Sequence, residues 1–365
     1  MHFDLTDEQR ELTAVVRSLV ARRTRVADVR AAVDTESGFD TELWSQLGEQ
    51  IGVVALAVPE EYGGAGYSSF ETHLVLEELG RTLTPTPLFS TGVLAVQALL
   101  RVADESSRRR LLPRLVEGTT LAALGWSASP EDALPGAGIV AAHDSRGWTL
   151  TGESALVLGG DTADLLLVLS RTPYGTSLFE VDPDQPRLTR TAHRGMDQTL
   201  RFADISFDGA TATLLGTADE EQLRNLFSSF VVANTALQVG GAQGAFDRTV
   251  EYLEERVQFG RPLGSFQALK HRAADMLVEV ETSRSISWAA AWAASTNAPN
   301  TRRQAAIAAS WCSESFSHIA SETVQLHGGI AITWEHDAQL YFKRAHATSQ
   351  LFGAPHVHRR QLVSE

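Results

Sequence analysis

The 365-residue sequence has a single cysteine, Cys312, and this scarcity excludes an intrachain disulfide framework and a thiolate metal cluster. The residues around Cys312 follow a helical pattern, so we expect the side chain to be buried as a small hydrophobe. The aspartates and histidines show no metal-ligand spacing, and Ser, His and Asp cannot be assigned to a triad without geometry. We therefore expect no metal site, and a reducing cytoplasm fits best.

Basic charge is also scarce. The formal net charge is -14 and the pI is near 5.3, which argues against a nucleic-acid or anionic-membrane partner because either needs a basic face. No run approaches the roughly 20 apolar residues of a membrane span. The sequence opens with Asp4 and a capping sequence rather than a basic segment and an apolar core, so we expect no export signal. Any anionic cofactor must be held by local arginines.

The hydrophobic period changes twice along the chain, and these changes divide it into three predicted domains. Residues 1–120 read as helices, starting with a capping box in which Thr6 and Gln9 serve orphan backbone donors. Residues 121–216 carry short apolar or alternating runs bounded by Gly, Pro and Asp, which predicts an all-β insert. In residues 217–365 the 3.6-residue period returns and predicts a four-helix bundle. The fold class is mainly α with an inserted β domain.

Particular helices can be predicted within these regions. In the first region they lie near residues 43–50, 69–81 and 107–117. In the last, one long helix precedes helices at 272–294, 302–327 and 335–349, with residues 260–264 as the first turn.

Four motifs resemble acyl-CoA dehydrogenases, in the same order and over essentially the whole chain. They are VPEEYGG at 58–64, EELGR at 77–81, ERVQFG at 255–260 with Phe266 and Gln267 following, and QLHGG at 325–329. The combination is specific although each motif alone is weak. The resemblance implies a helical N-terminal domain, a central β barrel or sandwich, and a C-terminal four-helix bundle. It also implies FAD at a subunit interface and α,β-desaturation of an acyl-CoA, in which a glutamate removes the α-proton.

The last two motifs supply six candidate cofactor residues, which we call the clamp. A guanidinium such as Arg256 can meet two pyrophosphate oxygens at once, and Phe259 offers an apolar face to adenine. The glycines let the backbone approach a ligand closely. The resemblance implies that these elements reach the FAD of a neighbouring subunit. The alternative interpretation is that Arg256 ends one helix favourably and the glycines only cap another. The clamp residues are Arg256, Gln258, Phe259, Gln325, Gly328 and Gly329.

The resemblance also shows what is missing around the flavin ring. Family members usually carry a Thr-Glu-Pro-like segment and a Trp-Ile-Thr or Trp-Ile-Ser segment. The corresponding stretches here are residues 127–130 (SASP) and 156–158 (LVL). Leucines cannot replace a hydroxyl hydrogen bond or an indole face, although Ser127 or Ser129 could still donate one. We therefore expect the usual seat of the isoalloxazine to be lost.

The catalytic base is absent from both positions where the family places it. These positions carry Gly353 and Phe230, and neither side chain accepts a proton. Loss of a positioned base typically costs at least about 10²–10⁴ in rate. His356 and His358 are the rescue candidates, but a solvated or interfacial tail is the favoured interpretation.

Two further features are discounted. The arginines at 108–110 could contact a CoA phosphate, but a solvated helix face is favoured in an acidic protein. The GAG piece at 136–138 is too short to be a dinucleotide loop.

Three functions remain open. The first is the non-catalytic partner in a heterotetrameric acyl-CoA dehydrogenase, similar to the bacterial enzymes that shorten steroid side chains, with a paralogous base-bearing subunit. The second is a self-sufficient homo-oligomeric flavoenzyme with changed chemistry, such as elimination or oxygen-dependent oxidation. The third is a scaffold without flavin. We favour the first, because the clamp is retained while the base is missing.

Overall fold

The structure is a computed structural model that describes residues 4–24, 26–127 and 138–364. The helices are α1 (Asp7–Arg23), α2 (Val26–Val33), α3 (Thr41–Gln46), α4 (Ser69–Arg81), α5 (Val96–Val102), α6 (Glu105–Val116), α7 (Glu220–Glu255), α8 (Gln267–Ser295), α9 (Thr301–His327), α10 (Ala338–Gln350) and α11 (Pro355–Ser364). The strands are β1 (Ala122–Trp126), β2 (Ile139–Asp144), β3 (Gly147–Leu158), β4 (Leu165–Thr172), β5 (Gly175–Val181), β6 (Leu188–His193), β7 (Phe202–Ala218), β8 (Val257–Gln258) and β9 (Arg261–Pro262). Two π-helical turns span Leu47–Ile51 and Leu88–Ala95, and 3₁₀ turns span Glu60–Tyr62, Leu263–Ser265 and Gly328–Ile332.

Helix starts follow local chemistry where a capping residue is present. The predicted capping box at α1 is confirmed: the Thr6 hydroxyl accepts from the Gln9 amide at 3.2 Å, and the Gln9 side chain accepts from the Thr6 amide at 3.0 Å.

The helix predicted at residues 69–81 is confirmed as α4. The helix predicted from 272 begins earlier, at Gln267, and the one predicted from 335 begins later, at Ala338.

The chain divides into two compact units. One comprises Met1–Ala31, His73–Thr84 and Val231–Glu365, and the other comprises Ala32–Thr72 and Pro85–Phe230. The division into three domains with boundaries near residues 120 and 216 stays a prediction.

The second unit is built around a mixed seven-stranded sheet. Its strands follow the order β1-β4-β2-β3-β7-β5, and β5 pairs back to β4, so the path closes on itself. β1 adds to β4 in parallel and β6 pairs with β7. Fully buried side chains such as Leu150, Leu166, Phe179 and Ile205 fill the interior. The predicted β insert is thereby confirmed as part of the fold class.

In the first unit, α9 packs against α8 and α10, and hydrogen bonds join part of the 36-residue α7 to all three helices of the predicted bundle. Buried polar contacts join these helices along α7, and each pairs groups that would otherwise be costly to bury. They are Thr235 Oγ1 to Ser287 Oγ at 2.7 Å, Thr249 Oγ1 to Thr323 Oγ1 at 3.0 Å, and Asn234 Nδ2 to the Thr348 carbonyl at 2.9 Å. Over the described residues, no helix has both the length and the apolarity required to cross a membrane.

Candidate functional site

After α7 the chain turns back in a two-residue β-hairpin. Gln258 pairs with Arg261 across it, which leaves Phe259 and Gly260 as the loop. Both have positive φ, 55° and 79°, as in a type I′ turn, where Asn-Gly is the common sequence. A left-handed backbone costs a residue with a Cβ roughly 1–2 kcal/mol, and the Phe259 side chain is 89% exposed. The hairpin therefore holds an aromatic ring in solvent at a conformational cost.

Phe266 packs against two residues of this hairpin. The Phe259 and Phe266 rings meet edge to face with centroids 6.1 Å apart, and the Arg261 guanidinium lies 4.0 Å from the centre of the Phe266 ring. The exposed Arg256 is fixed through its backbone, because its carbonyl accepts from the Leu263 amide at 2.8 Å. The base of the hairpin is therefore ordered while the Arg256 side chain remains accessible.

The second part of the clamp is the end of α9. Gly328 ends the helix with φ 69° and ψ -149°, and its amide bonds the Gln325 carbonyl. A Cβ added at Gly328 or Gly329 would meet nothing within 4 Å, and Gln325, Gly328 and Gly329 are all exposed. The turn thus presents open backbone to solvent, and the positive φ explains a glycine at 328.

The ends of α7 and α9 meet through Tyr252 and His327. Their rings stack with centroids 4.4 Å apart and planes 29° apart, and the Tyr252 hydroxyl donates to the His327 carbonyl at 3.3 Å. His327 Nδ1 lies 2.7 Å from the Thr323 carbonyl, so Nδ1 carries the proton because a carbonyl only accepts. Burial lowers the pKa of His327, which keeps the ring neutral. The structure therefore brings the two predicted motifs to neighbouring helix ends.

The two positions expected to carry a base cannot do so. Gly353 has φ 107°, a backbone that side chains other than glycine rarely adopt. Phe230 is fully buried, and its ring lies 5.3 Å from that of Phe227.

The favoured interpretation is a solvated or interfacial tail, and for His358 the solvated alternative is wrong. This residue is only 4% exposed on α11, and its Nε2 lies 3.1 Å from the Gly353 carbonyl. Burial lowers the pKa of His358. The ring contacts the loop at Gly353 and is shielded from solvent. His356 is exposed.

The region corresponding to the flavin seat is a bulge in β3. Leu156 is 58% exposed with φ 52°, whereas Val157 and Leu158 are buried. The Leu156 amide donates to Asp204 Oδ1 at 2.9 Å, and His193 Nε2 lies 2.5 Å from Asp204 Oδ2. The His193 imidazole beside Asp204 holds the pKa of that carboxyl below its usual range. Ser129 and most of the SASP and GAG stretches lie outside the described residues.

Other singled-out residues have structural partners. Arg109 Nε lies 2.7 Å from Glu105 Oε1, and Arg110 pairs with Glu180. These exposed ion pairs agree with the favoured interpretation of residues 108–110 as a solvated helix face. Cys312 is buried as predicted, its thiol lies 3.5 Å from the Ser283 carbonyl, and burial raises the pKa of the thiol.

The EELGR motif contributes ion pairs and close packing within the first unit. Glu77 accepts from Arg284 Nε at 2.9 Å and Trp288 Nε1 at 2.8 Å, and Glu78 holds Arg17 through two hydrogen bonds. These groups line a cavity of about 280 Å³. These charged groups pair with one another, so we interpret the motif as structural within this unit.

Sequence reasoning missed the support of the clamp. Tyr252 lies on the last turn of α7, four residues before Arg256, whose amide donates a hydrogen bond to the Tyr252 carbonyl just past the end of the helix. His327 lies inside the QLHGG motif, and the sequence alone does not indicate its contact with Tyr252. Phe266 follows the ERVQFG motif, and its contact with Phe259 is likewise not visible in the sequence.

The comparisons with known proteins identify the family. Residues 6–119 match the acyl-CoA dehydrogenase N-terminal domain, and residues 226–365 match the acyl-CoA dehydrogenase C-terminal domain. Acyl-CoA dehydrogenase IpdE2 of Mycolicibacterium smegmatis is 39% identical over 363 residues, covering 99% of each chain. This protein therefore belongs to the acyl-CoA dehydrogenase family.

Two solved structures are similar to the whole fold. The Tcur3481-Tcur3483 steroid ACAD variant has a TM-score of 0.89 at 32% identity, covering 98% of this chain and 97% of that one. The ChsE4-ChsE5 complex of Mycobacterium tuberculosis has a TM-score of 0.90 at 27% identity, covering 100% of this chain and 98% of that one. Both names denote assemblies of two different chains.

Acyl-CoA dehydrogenases are FAD-dependent flavoproteins, and the exposed ends of α7 and α9 fit half of that cofactor. An accessible guanidinium at Arg256 suits a pyrophosphate, and the open backbone at Gly328 and Gly329 leaves space beside it. An aromatic ring in solvent at Phe259 suits an adenine face. The bulge at Leu156 offers no comparable side chain for the flavin ring.

Proposed function

We propose that this chain is the non-catalytic subunit of a heteromeric, FAD-dependent acyl-CoA dehydrogenase. It lends the clamp to the pyrophosphate and adenine half of an FAD whose ring lies on a paralogous subunit. That paralogue carries the glutamate base, and the pair carries out α,β-desaturation of an acyl-CoA thioester in a heterotetramer.

One contrast carries this proposal. The clamp residues are exposed in the hairpin after α7 and at the end of α9, while the two positions for the base hold Gly353 and the buried Phe230. A chain with both halves of a site would be expected to keep the base with the cofactor contacts. Retaining only the contacts that reach a neighbour is consistent with a supporting subunit.

The strained loop at Phe259 also supports the proposal. Residues in sparsely populated backbone regions cost roughly 1–3 kcal/mol and persist where the surrounding structure or function requires them. Packing within the first unit does not explain an aromatic ring here, since the side chain is 89% exposed. Contact with an adenine ring in an assembly would explain it.

Within the complex each group has a separate role. Arg256 would hold the pyrophosphate, Phe259 would contact the adenine, and Gln258 and Gln325 would donate hydrogen bonds to the cofactor. Gly328 and Gly329 admit the ligand to the backbone. Bound FAD supplies the hydride acceptor of the desaturation. The partner, and not this chain, supplies the group that removes the α-proton.

The substrate class is proposed from the solved relatives. One of them is named as a steroid ACAD, so a steroid or another polycyclic acyl-CoA is the proposed substrate. The bulky thioester would lie against the catalytic partner.

The test is co-expression of this chain with a glutamate-bearing acyl-CoA dehydrogenase paralogue, followed by measurement of the molar mass and the FAD content of the complex. Arg256→Ala should lower the affinity for FAD by about tenfold or more, because hydrogen bonds between charged groups contribute roughly 1.5–3 kcal/mol. Arg303→Ala is the matched control. Arg303 is an exposed arginine near the start of α9, whereas the clamp lies at the end of that helix.

Three results would contradict the proposal. If no stable complex forms, the subunit role is wrong. If the chain alone purifies as a yellow homo-oligomer with one FAD per chain, a self-sufficient flavoenzyme with changed chemistry is favoured. If Arg256→Ala changes neither the FAD content nor the activity of the complex, a scaffold is favoured.

A further inference from the structure

We infer that Tyr252 and His327 are positioning residues of the clamp, which hold the Arg256 hairpin and the Gln325–Gly329 turn at a fixed separation without touching the cofactor. This inference rests on the proposed function. Its structural basis is the stacked ring pair together with the hydroxyl-to-carbonyl bond, which joins residues 75 positions apart in the chain.

Each partner is linked directly to one part of the clamp. The Arg256 amide bonds the Tyr252 carbonyl at 2.9 Å, so the position of Tyr252 sets the end of α7. His327 immediately precedes Gly328, and its carbonyl receives the Tyr252 hydroxyl at 3.3 Å. A displacement of either ring would therefore move one side of the clamp relative to the other.

A second contact extends this connection down the two helices. The Thr249 hydroxyl donates a hydrogen bond to the Thr323 hydroxyl. Thr249 lies three residues before Tyr252, and Thr323 lies four residues before His327. These spacings place Thr249 with Tyr252 and Thr323 with His327 along one seam between α7 and α9. The seam is buried at Thr249, Thr323 and His327 and ends at the clamp, where the clamp residues themselves are exposed. The Tyr252–His327 pair at the end of the seam therefore connects the buried helix packing to the exposed clamp residues.

The charge state of His327 fits this role. A neutral ring stacks on tyrosine without bringing a buried charge, and burial lowers the pKa of His327. The neighbouring ring of His336 lies 4.7 Å away, and its pKa is also lowered by burial. Arg248 adds a nearby positive charge, paired with Asp337 at 2.7 Å. Uncharged imidazoles avoid repulsion beside that arginine.

The experiment uses the complex with the glutamate-bearing paralogue, freed of FAD, and measures dissociation constants for three probes. FAD tests the whole site, ADP tests the pyrophosphate and adenine half, and riboflavin tests the ring half. Tyr252→Leu and His327→Leu should each raise the dissociation constants of FAD and ADP by about five- to tenfold, because the loss of an aromatic pair has effects of this size. Riboflavin binding should not change.

Conservative variants separate positioning from general stability. Tyr252→Phe and His327→Phe keep a ring able to stack, and each should stay within about threefold of the wild type for FAD and ADP. Tyr174→Leu is the matched control, because Tyr174 is an 82% exposed tyrosine in the turn between β4 and β5. It should leave all three constants unchanged.

The outcomes distinguish this inference from the proposed function. If the leucine variants bind ADP normally while Arg256→Ala weakens it, only the positioning inference is overturned. If Arg256→Ala has no effect either, the proposed function fails first. If the leucine variants yield no complex, or weaken riboflavin as much as ADP, the ring pair maintains the fold and the inference is overturned.

Discussion

His358 Nε2 lies 3.1 Å from the carbonyl oxygen of Gly353. The loop at the expected base position is thus closed by a buried histidine, and Gly353 holds φ 107°. This position carries no carboxylate, and its backbone shape is one in which a glutamate would be strained.

Restoring the glutamate should therefore not restore a base. We expect Gly353→Glu to lower the free energy of unfolding by roughly 1–2 kcal/mol, the cost of a left-handed residue with a Cβ. The chain alone should show no acyl-CoA-dependent reduction of an electron-accepting dye. Gly353→Ala is the control, since it carries the same backbone cost without a carboxylate. Turnover by Gly353→Glu alone would contradict this account.

Buried His73 should make the protein sensitive to acid. Burial lowers the pKa of its imidazole from 6.5 to about 3, so the folded protein keeps the ring neutral while the unfolded chain takes up a proton. Between pH 6.5 and 3 the unfolded state binds more protons, and stability falls as the pH is lowered. At pH 5 the loss from this residue should be about 2 kcal/mol.

The check is urea unfolding of the wild type and His73→Gln at pH 7 and pH 5. Glutamine does not titrate, so the variant should lose about 2 kcal/mol less than the wild type over this interval. His356→Gln removes an exposed histidine and should keep the wild-type pH dependence. Equal pH dependence in all three proteins would show that His73 is not the group responsible.

Local signals and long-range contacts explain which parts were predictable. The start of α1 could be predicted because Thr6 and Gln9 form a capping box within one turn. The Tyr252–His327 stack could not, because it depends on how α7 and α9 pack. His358 was misjudged for the same reason: its basic neighbours suggest solvent, but α11 packs on α9 and buries it. The clamp could be proposed from its motifs, but its support required tertiary structure.

Close packing at Gly240 gives a prediction about the fold. A Cβ there would lie 2.0 Å from the Glu77 carbonyl oxygen and 2.8 Å from the Arg81 amide nitrogen. Backbone atoms cannot move aside cheaply, so Gly240→Ala should lower the free energy of unfolding by about 3 kcal/mol. Gly48→Ala is the control, since its Cβ would meet nothing within 4 Å, and it should not destabilise. Denaturant midpoints compare the two, and equal midpoints would rule out a tight contact between α4 and α7.

Phe259 should show opposite effects on stability and on cofactor binding. Its loop has positive φ at both residues, and asparagine tolerates this conformation better than phenylalanine. Phe259→Asn should therefore raise the free energy of unfolding of the chain by about 1 kcal/mol. In the complex the same change should weaken FAD by about tenfold, because a base stacked on an aromatic ring contributes roughly 1–3 kcal/mol.

Phe259→Ala separates the two effects. Alanine loses the ring but keeps a Cβ at positive φ, so its stability should stay close to the wild type while FAD binding weakens as in Phe259→Asn. Thermal unfolding of the chain and FAD titration of the complex measure both quantities. If Phe259→Asn stabilised the chain and left FAD binding unchanged, the exposed ring would have no part in holding the cofactor, and the strain at this loop would need another cause.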